Sequence, residues 1–369
     1  MDFSLTEAQN DLSGLARRIL SDWAERTPDP GLTGFDRPLW TSMARAGLLD
    51  AALPATVGGG GFGLLEQCSV LIEIGRTVAP APYLTSVVAA AAAIAEFGGD
   101  QHVERWALPV LRGDTTLTVA VADEGSDPGF TAERTAGGWR LSGALTAVPA
   151  GTFADGFLCE VCTSDGAVSS DRAGLFVVGR AADGVSVTEQ RVVDRTDAAL
   201  VELDDVVVGD DALLGSPGGG ATGWVRQRTT VGWCALQLGI VERALEMTGE
   251  YARDRRQFDK PIGSFQAVRQ RVADAYLDVE AVRLTLWQAA WKLAEGLPAD
   301  AEVATAKFWA AQAGHRVAHA AVHIHGGVGI DTDYPLHRYF VAAKRAEFAL
   351  GGATAHLRKL GTVLAGEPA

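Results

Sequence analysis

The hydrophobic period changes twice along this chain, and that alternation constrains the fold more than any other feature of the sequence. At the start, Leu12, Leu15, Ile19, Leu20 and Trp23 fall on one face at helical spacing. Thr6, with Gln9 three residues on, predicts a capping box at the head of this helix. Further helices are predicted over residues 39–49, 64–76, 85–97 and 103–111, punctuated by Pro54, the run Gly58 to Gly61, Pro80 with Pro82, and Gly98-Gly99. Near Gly113 the period shortens to two. Residues 116–122, 139–145, 156–162, 174–178 and 201–208 alternate like strands between glycine, aspartate and serine clusters, which predicts a compact antiparallel β domain closed by the glycine-rich loop 215–220. From Thr222 the helical period returns over 222–255, 264–295, 299–324 and 335–364. Short connections between long helices imply antiparallel neighbours, hence a four-helix bundle. The expected class is α+β, with an N-terminal helical domain over 1–113, a middle β domain over 114–220 and the bundle over 221–369. The bundle helices carry more apolar residues than one stripe, which predicts a second buried face at an oligomer interface.

Charge and cysteine usage narrow the function. A net charge of −14 repels phosphate backbones and anionic lipid surfaces, so neither nucleic acid nor a membrane is an expected partner. The four cysteines are too few and scattered for a disulfide framework. Cys159 and Cys162 form a C-x-x-C inside an alternating strand pattern, with no second pair to complete a zinc site, so a structural role is expected. The acidic start has no basic stretch followed by an apolar one, and the longest apolar tract, residues 87–94, is too short to span a bilayer. A cytoplasmic location is expected. His315 and His319 stand four apart on one predicted helix without a third ligand, and are expected to be structural rather than metal-binding.

Two motifs in the last third carry chemistry. The first runs from Tyr251 through Arg255, Gln257, Phe258, Pro261 and Ile262 to Phe265-Gln266. The second is His323-Ile324-His325-Gly326-Gly327-Val328-Gly329, followed by Tyr334-Pro335. The first resembles the Y-x3-R-x-Q-F-G-x-P-I-x-x-F-Q signature of the acyl-CoA dehydrogenase family, and the second resembles its Q-x-x-G-G-x-G segment. The order of helices, β domain and helical bundle is similar to that family's architecture over essentially the whole chain. The segments 257–266, 323–340 and 342–355 also resemble the smaller subunit of heterotetrameric actinobacterial members that act on steroid (cholesterol) side chains as CoA thioesters. The resemblance implies FAD as cofactor, an acyl-CoA substrate and an electron-transfer flavoprotein as acceptor. It implies that Arg255 reaches the FAD pyrophosphate of a neighbouring subunit, that Gln257 and Phe258 pack against the dinucleotide, and that Gly326 and Gly327 let the backbone approach it. That assignment makes chemical sense, since a pyrophosphate needs a fixed cation and closely approaching amides. His323 stands where the family usually has glutamine, and can either donate one hydrogen bond as glutamine would or be an ordinary core histidine.

The same resemblance marks what is missing. α,β-Dehydrogenation needs a carboxylate base in a dry site. Where the family has an aromatic-Glu-Gly-Thr sequence, this chain reads Phe348-Ala349-Leu350-Gly351-Gly352-Ala353. At the family's second base position it reads Arg226-Gln227-Arg228-Thr229-Thr230. Glu347 is a weak candidate base, three residues from Leu350 and so facing another way. The flavin-cradling strands are altered too: Ala122-Asp123-Glu124-Gly125-Ser126-Asp127 lacks the family's threonine, Ala147 cannot stack on a ring, and Pro149 offers no donor. The expected role is therefore a subunit of an α2β2 acyl-CoA dehydrogenase. It contributes FAD contacts while a second dehydrogenase-like subunit supplies the flavin cradle and the catalytic glutamate. Two alternatives remain at this stage. A self-sufficient homotetramer using an unusual base would be active as the isolated chain; a non-enzymatic scaffold or acyl-CoA-binding protein would stay colourless even with a partner.

Overall fold

The computed structural model describes residues 5–27, 35–51, 53–126, 129–163 and 173–366. The chain divides into two compact units. A helical unit comprises residues 1–26, 68–79 and 230–369, and a sheet-bearing unit comprises 27–67 and 80–229. The helices of the first part are α1 (Glu7–Arg26), α2 (Arg37–Arg45), α3 (Leu64–Thr77), α4 (Ala92–Phe97, preceded by a π-helical stretch Leu84–Ala91), α5 (Asp100–His102) and α6 (Leu108–Leu111, preceded by a second π stretch, Val103–Ala107). The predicted capping box is present: Thr6 N–H donates to Gln9 Oε1 at 2.7 Å and Gln9 N–H to Thr6 Oγ1 at 3.1 Å. Asp36 caps α2 by accepting from Leu39 N–H at 2.8 Å, satisfying one of the amides a helix start leaves unpaired.

The middle of the chain forms β1 (Leu117–Ala120), β2 (Phe130–Thr135), β3 (Gly138–Pro149), β4 (Gly156–Thr163), β5 (Ala173–Gly179), β6 (Val185–Glu189), β7 (Ala198–Val208) and β8 (Leu213–Leu214). The sheet runs β6-β7-β3-β2-β4-β5-β8, with β1 paired to β4. It is not wholly antiparallel, as the alternation suggested. β1 lies parallel along the first half of β4, and β2 lies parallel along its second half. The short link between β1 and β2 lets both follow one edge of β4 in the same direction, and side-chain alternation reports faces rather than strand direction. Phe130, Leu141, Phe157, Cys159, Phe176 and Val201 fill the core of this sheet. Burial pushes the Cys159 thiol up to about 12, which makes it inert. Among the described residues no group of three metal-ligating side chains comes together, and no helix is long and apolar enough to cross a membrane.

The C-terminal part contains α7 (Ala221–Asp254), a small hairpin of β9 (Arg256–Gln257) and β10 (Lys260–Pro261), α8 (Gln266–Ala294), α9 (Asp300–His325), α10 (Leu336–Phe348) and α11 (Ala353–Gly366). The single helix expected over 335–364 is thus two. The break has a physical cause. The buried Lys307 ammonium donates to the carbonyls of Ala346 at 2.8 Å and Glu347 at 3.0 Å, capping the end of α10. Leu350 then turns left-handed at φ 55° and Gly351 at φ 97°, and His356 Nε2 bonds the Leu350 carbonyl at 2.9 Å.

Within the helical unit, α3 and α7 cross at a pair of glycines. A Cβ on Gly75 would lie 2.2 Å from the Leu236 carbonyl oxygen, and one on Gly239 would lie 2.0 Å from that of Ile72. Arg76 secures the crossing through Glu242 at 3.0 Å and Glu246 at 2.8 Å. Tyr339 donates its hydroxyl to the Arg76 carbonyl at 2.7 Å.

Candidate functional site

The first motif folds as the exit of α7 into the β9–β10 hairpin. Lys260 pairs with Gln257 and Pro261 with Arg256, leaving Phe258 and Asp259 as a two-residue loop. Both loop residues are left-handed, at φ 53° and 62°, the geometry that a tight hairpin demands and that glycine or asparagine usually supplies. Asp259 is of a type that tolerates this region, whereas Phe258 is not. Arg256 Nη2 donates to the Asp259 carbonyl at 2.8 Å and so ties the loop down. The outcome is display: Phe258 stands 86% exposed, backed edge-on by Phe265 at 6.2 Å. Arg255 is fixed through its backbone, donating to Tyr251 at 2.8 Å and accepting from Ile262 at 2.8 Å. Its exposed guanidinium makes no ion pair among the described residues. Gln257, also exposed, donates to the Arg256 carbonyl at 2.9 Å.

The second motif is the C-terminus of α9. Gly326 adopts φ 66°, ψ −141°, a region for glycine alone. A Cβ at either Gly326 or Gly327 would meet nothing within 4 Å, so the backbone there faces open space. His323 is exposed on α9 and lines a hollow of about 860 Å³ with Arg271 and Asp274 of α8 and with His315 and His319. The His315 and His319 rings lie 4.4 Å apart.

Three aromatic residues to which the sequence reading assigned no role join the two motifs. Tyr251 stacks on His325 at 4.2 Å, and its hydroxyl donates to the His325 carbonyl at 3.4 Å. Tyr334 bonds His325 Nε2 through its hydroxyl at 3.3 Å, while His325 Nδ1 bonds the Ala321 carbonyl at 2.8 Å. The signal was present, since each residue lies inside or beside a motif, but nothing in the spacing said that they meet. Burial lowers the affinity of His325 for a proton below its ordinary 6.5, with the Ala321 carbonyl pulling the other way. The unfolded chain then binds the proton more readily than the folded one, so the stability His325 confers is present above pH 6.5 and is lost as pH falls through the depressed folded value. Thermal unfolding between pH 7.5 and 5.5 is expected to show a falling midpoint, with a shallower slope in His325→Gln.

Glu347 is placed to pair rather than to react. Its carboxylate takes the Lys344 ammonium at 2.6 Å and lies 3.5 Å from His315 Nδ1. At the family's base position the strained turn instead presents Leu350. In the sheet-bearing unit, Arg226 is bound to Glu160 at 2.7 and 2.6 Å, and Arg228 lies over Trp224 at 4.0 Å. No carboxylate occurs in that stretch. On β3, the register against β7 shifts between Leu145 and Val148, and Ala147 is left-handed at φ 55°. Gln190 Oε1 accepts from both Ala147 N–H at 2.7 Å and the Thr146 hydroxyl at 2.9 Å. The altered strand is thus closed by its own chain. Asp127 lies outside the described residues.

An exposed cation without a counter-charge, an outward aromatic ring and a glycine backbone open to approach suit a planar ligand bearing phosphates. Comparison with known proteins agrees with the fold. Residues 6–114 match the model of the acyl-CoA dehydrogenase N-terminal domain, and residues 225–364 match that of the C-terminal domain. The chain is 47% identical to acyl-CoA dehydrogenase FadE27 of Mycobacterium tuberculosis, covering 100% of both. It is 30% identical to FadE28 of the same organism over 87% of this chain and 91% of that one. The crystal structure of the ChsE4–ChsE5 complex from Mycobacterium tuberculosis contains a chain that superposes with a TM-score of 0.93 at 47% identity, over 100% of each. A variant of the Tcur3481–Tcur3483 steroid ACAD matches at 0.87 and 38% identity, over 97% of this chain and 98% of that one. This chain belongs to the acyl-CoA dehydrogenase family.

Proposed function

We propose that this chain is the base-lacking subunit of a cytoplasmic heteromeric, FAD-dependent acyl-CoA dehydrogenase that introduces an α,β double bond into the side chain of a steroid CoA ester. The observation that carries this reading is the division of features within one chain. Arg255, Phe258, Gly326 and Gly327 face outward and open, while Glu347 is neutralised by Lys344 and the base position holds Leu350. FAD supplies the hydride acceptor when bound. Arg255 would hold its pyrophosphate, Phe258 and Gln257 its adenosine side, and Gly326, Gly327 and His323 the backbone wall. The partner, a second dehydrogenase-like chain in an α2β2 assembly, supplies the flavin cradle and the glutamate, and an electron-transfer flavoprotein reoxidises the flavin. Similarity to chains from the ChsE4–ChsE5 complex and from a steroid ACAD supports both the heteromeric assembly and the substrate class. The closure of β3 by Gln190 supports a flavin ring held on the other chain. The test is flavin absorbance and acyl-CoA dehydrogenation of the chain purified alone and co-expressed with a dehydrogenase-like subunit. A colourless, inactive chain that turns yellow and active with its partner, at one FAD per pair, is expected. Turnover by the chain alone would overturn the reading.

A further inference from the structure

A hollow of about 710 Å³ opens in the sheet-bearing unit, and none of its lining residues belongs to either motif. Its wall comes from the β6–β7 connection, the residues following β3, and Phe35. Arg191 and Arg195 are both exposed and flank a tight turn in which Arg195 N–H donates to the Val192 carbonyl at 3.0 Å. Neither guanidinium has a counter-charge among the described residues. The aspartate between them is turned inward. Asp194 is 6% exposed, and its Oδ1 accepts from Thr196 N–H at 3.2 Å and the Thr196 hydroxyl at 2.8 Å. Asp197 is likewise engaged, with Thr152 N–H at 3.0 Å and with the Thr152 hydroxyl. Glu189 is the acidic lining residue left exposed.

The same hollow has an aromatic wall. Phe35 and Phe153 stack at 4.3 Å with their planes 11° apart, and Arg37 lies 5.1 Å from the Phe35 ring. Arg195 is held left-handed at φ 57°, a conformation that persists where surrounding bonds over-determine it and that gathers at ligand sites. The chain carries a net charge of −14, so two arginines lining one hollow, neither paired with a carboxylate among the described residues, stand against the general field. Guanidinium groups capture phosphate bidentately, a flat apolar wall accepts a planar ring, and the volume is that of an ordinary small-molecule site.

We propose that this hollow binds a ligand of the nucleoside monophosphate class, with the ring on the Phe35–Phe153 wall and the phosphate between Arg191 and Arg195. Glu189 is available to accept from a sugar hydroxyl. Isothermal titration of the full chain with AMP, adenosine and inorganic phosphate tests this. Saturable one-site binding of AMP is expected, at least tenfold tighter than adenosine or phosphate. Arg191→Ala and Arg195→Ala are each expected to weaken it about tenfold at unchanged thermal midpoint, and Phe153→Leu to weaken AMP more than phosphate. In Arg255→Ala the isotherm persists, which separates this site from the FAD contacts. Absence of AMP binding, equal binding of adenosine, or loss in Arg255→Ala with retention in both Arg191→Ala and Arg195→Ala would each overturn the proposal.

Discussion

Arg255→Ala is expected to strip FAD from the assembled enzyme while leaving the subunit folded. A charge-assisted, bidentate contact to a phosphate contributes about 1.5–3 kcal/mol, so FAD affinity should fall on the order of 10- to 150-fold. The guanidinium is exposed and bonded to no carboxylate among the described residues, so its removal leaves no internal charge uncompensated and the thermal midpoint should hold. Arg255→Lys keeps the charge but not the fork, and should recover part of the affinity. Fluorimetric titration of the co-expressed, flavin-stripped complex with FAD reads the effect. Unchanged FAD affinity in Arg255→Ala would remove the central contact from the shared-site reading.

The largest expected loss of stability lies elsewhere, at the α3–α7 crossing. Gly239→Ala forces a methyl to within 2.0 Å of the Ile72 carbonyl oxygen, with the Arg76 amide nitrogen at 2.8 Å on the same side. Both obstacles are backbone, so no side chain can rotate away and the helices themselves must separate. Overpacking of this kind costs about 3 kcal/mol or more, which lowers the thermal midpoint by roughly 4 °C or more. Gly249→Ala on the same helix is the control. Its Cβ meets nothing within 4 Å, and the replacement should be neutral or stabilise by about 0.5–1 kcal/mol through helix propensity. Equal midpoints for the two variants would show that the crossing tolerates separation.

Much of this architecture was legible because periodicity records burial. The helix starts at Glu7 and Leu64 and the strand starts at Gly156 and Gly138 follow, to within a residue, from which side chains repeat on one face. Strand direction did not follow. Nothing in residues 117–120 distinguishes a strand parallel to β4 from one antiparallel to it, since alternation is the same in both. The split between α10 and α11 was hidden for a related reason. Its causes are the buried Lys307, 39 and 40 residues from the carbonyls it holds, and the His356 ring, six residues from its own. At the site, the motif residues were recognisable in order, but their joining through Tyr251, His325 and Tyr334 is a tertiary fact. The pairing of Glu347 with Lys344 was in reach of the sequence, as residues three apart on a helix meet. The Gln190 clamp on β3 was not, because it spans 43 residues.

The outward display of Phe258 has a consequence for how such a protein must be made. Ile330 at 67% exposure, Leu277 at 66% and Phe348 at 59% stand in water with it, on a chain whose reading demands a companion. Scattered apolar side chains are ordinary, but rings and branched chains at this exposure bring a copy without its partner closer to self-association and to the cell's quality control. In the proposed heteromeric assembly, two genes whose products complete one another would be tied in dosage. On that proposal a surplus of this subunit would gain the cell no activity and add a burden of clearance, so balanced synthesis would follow from where one phenylalanine points.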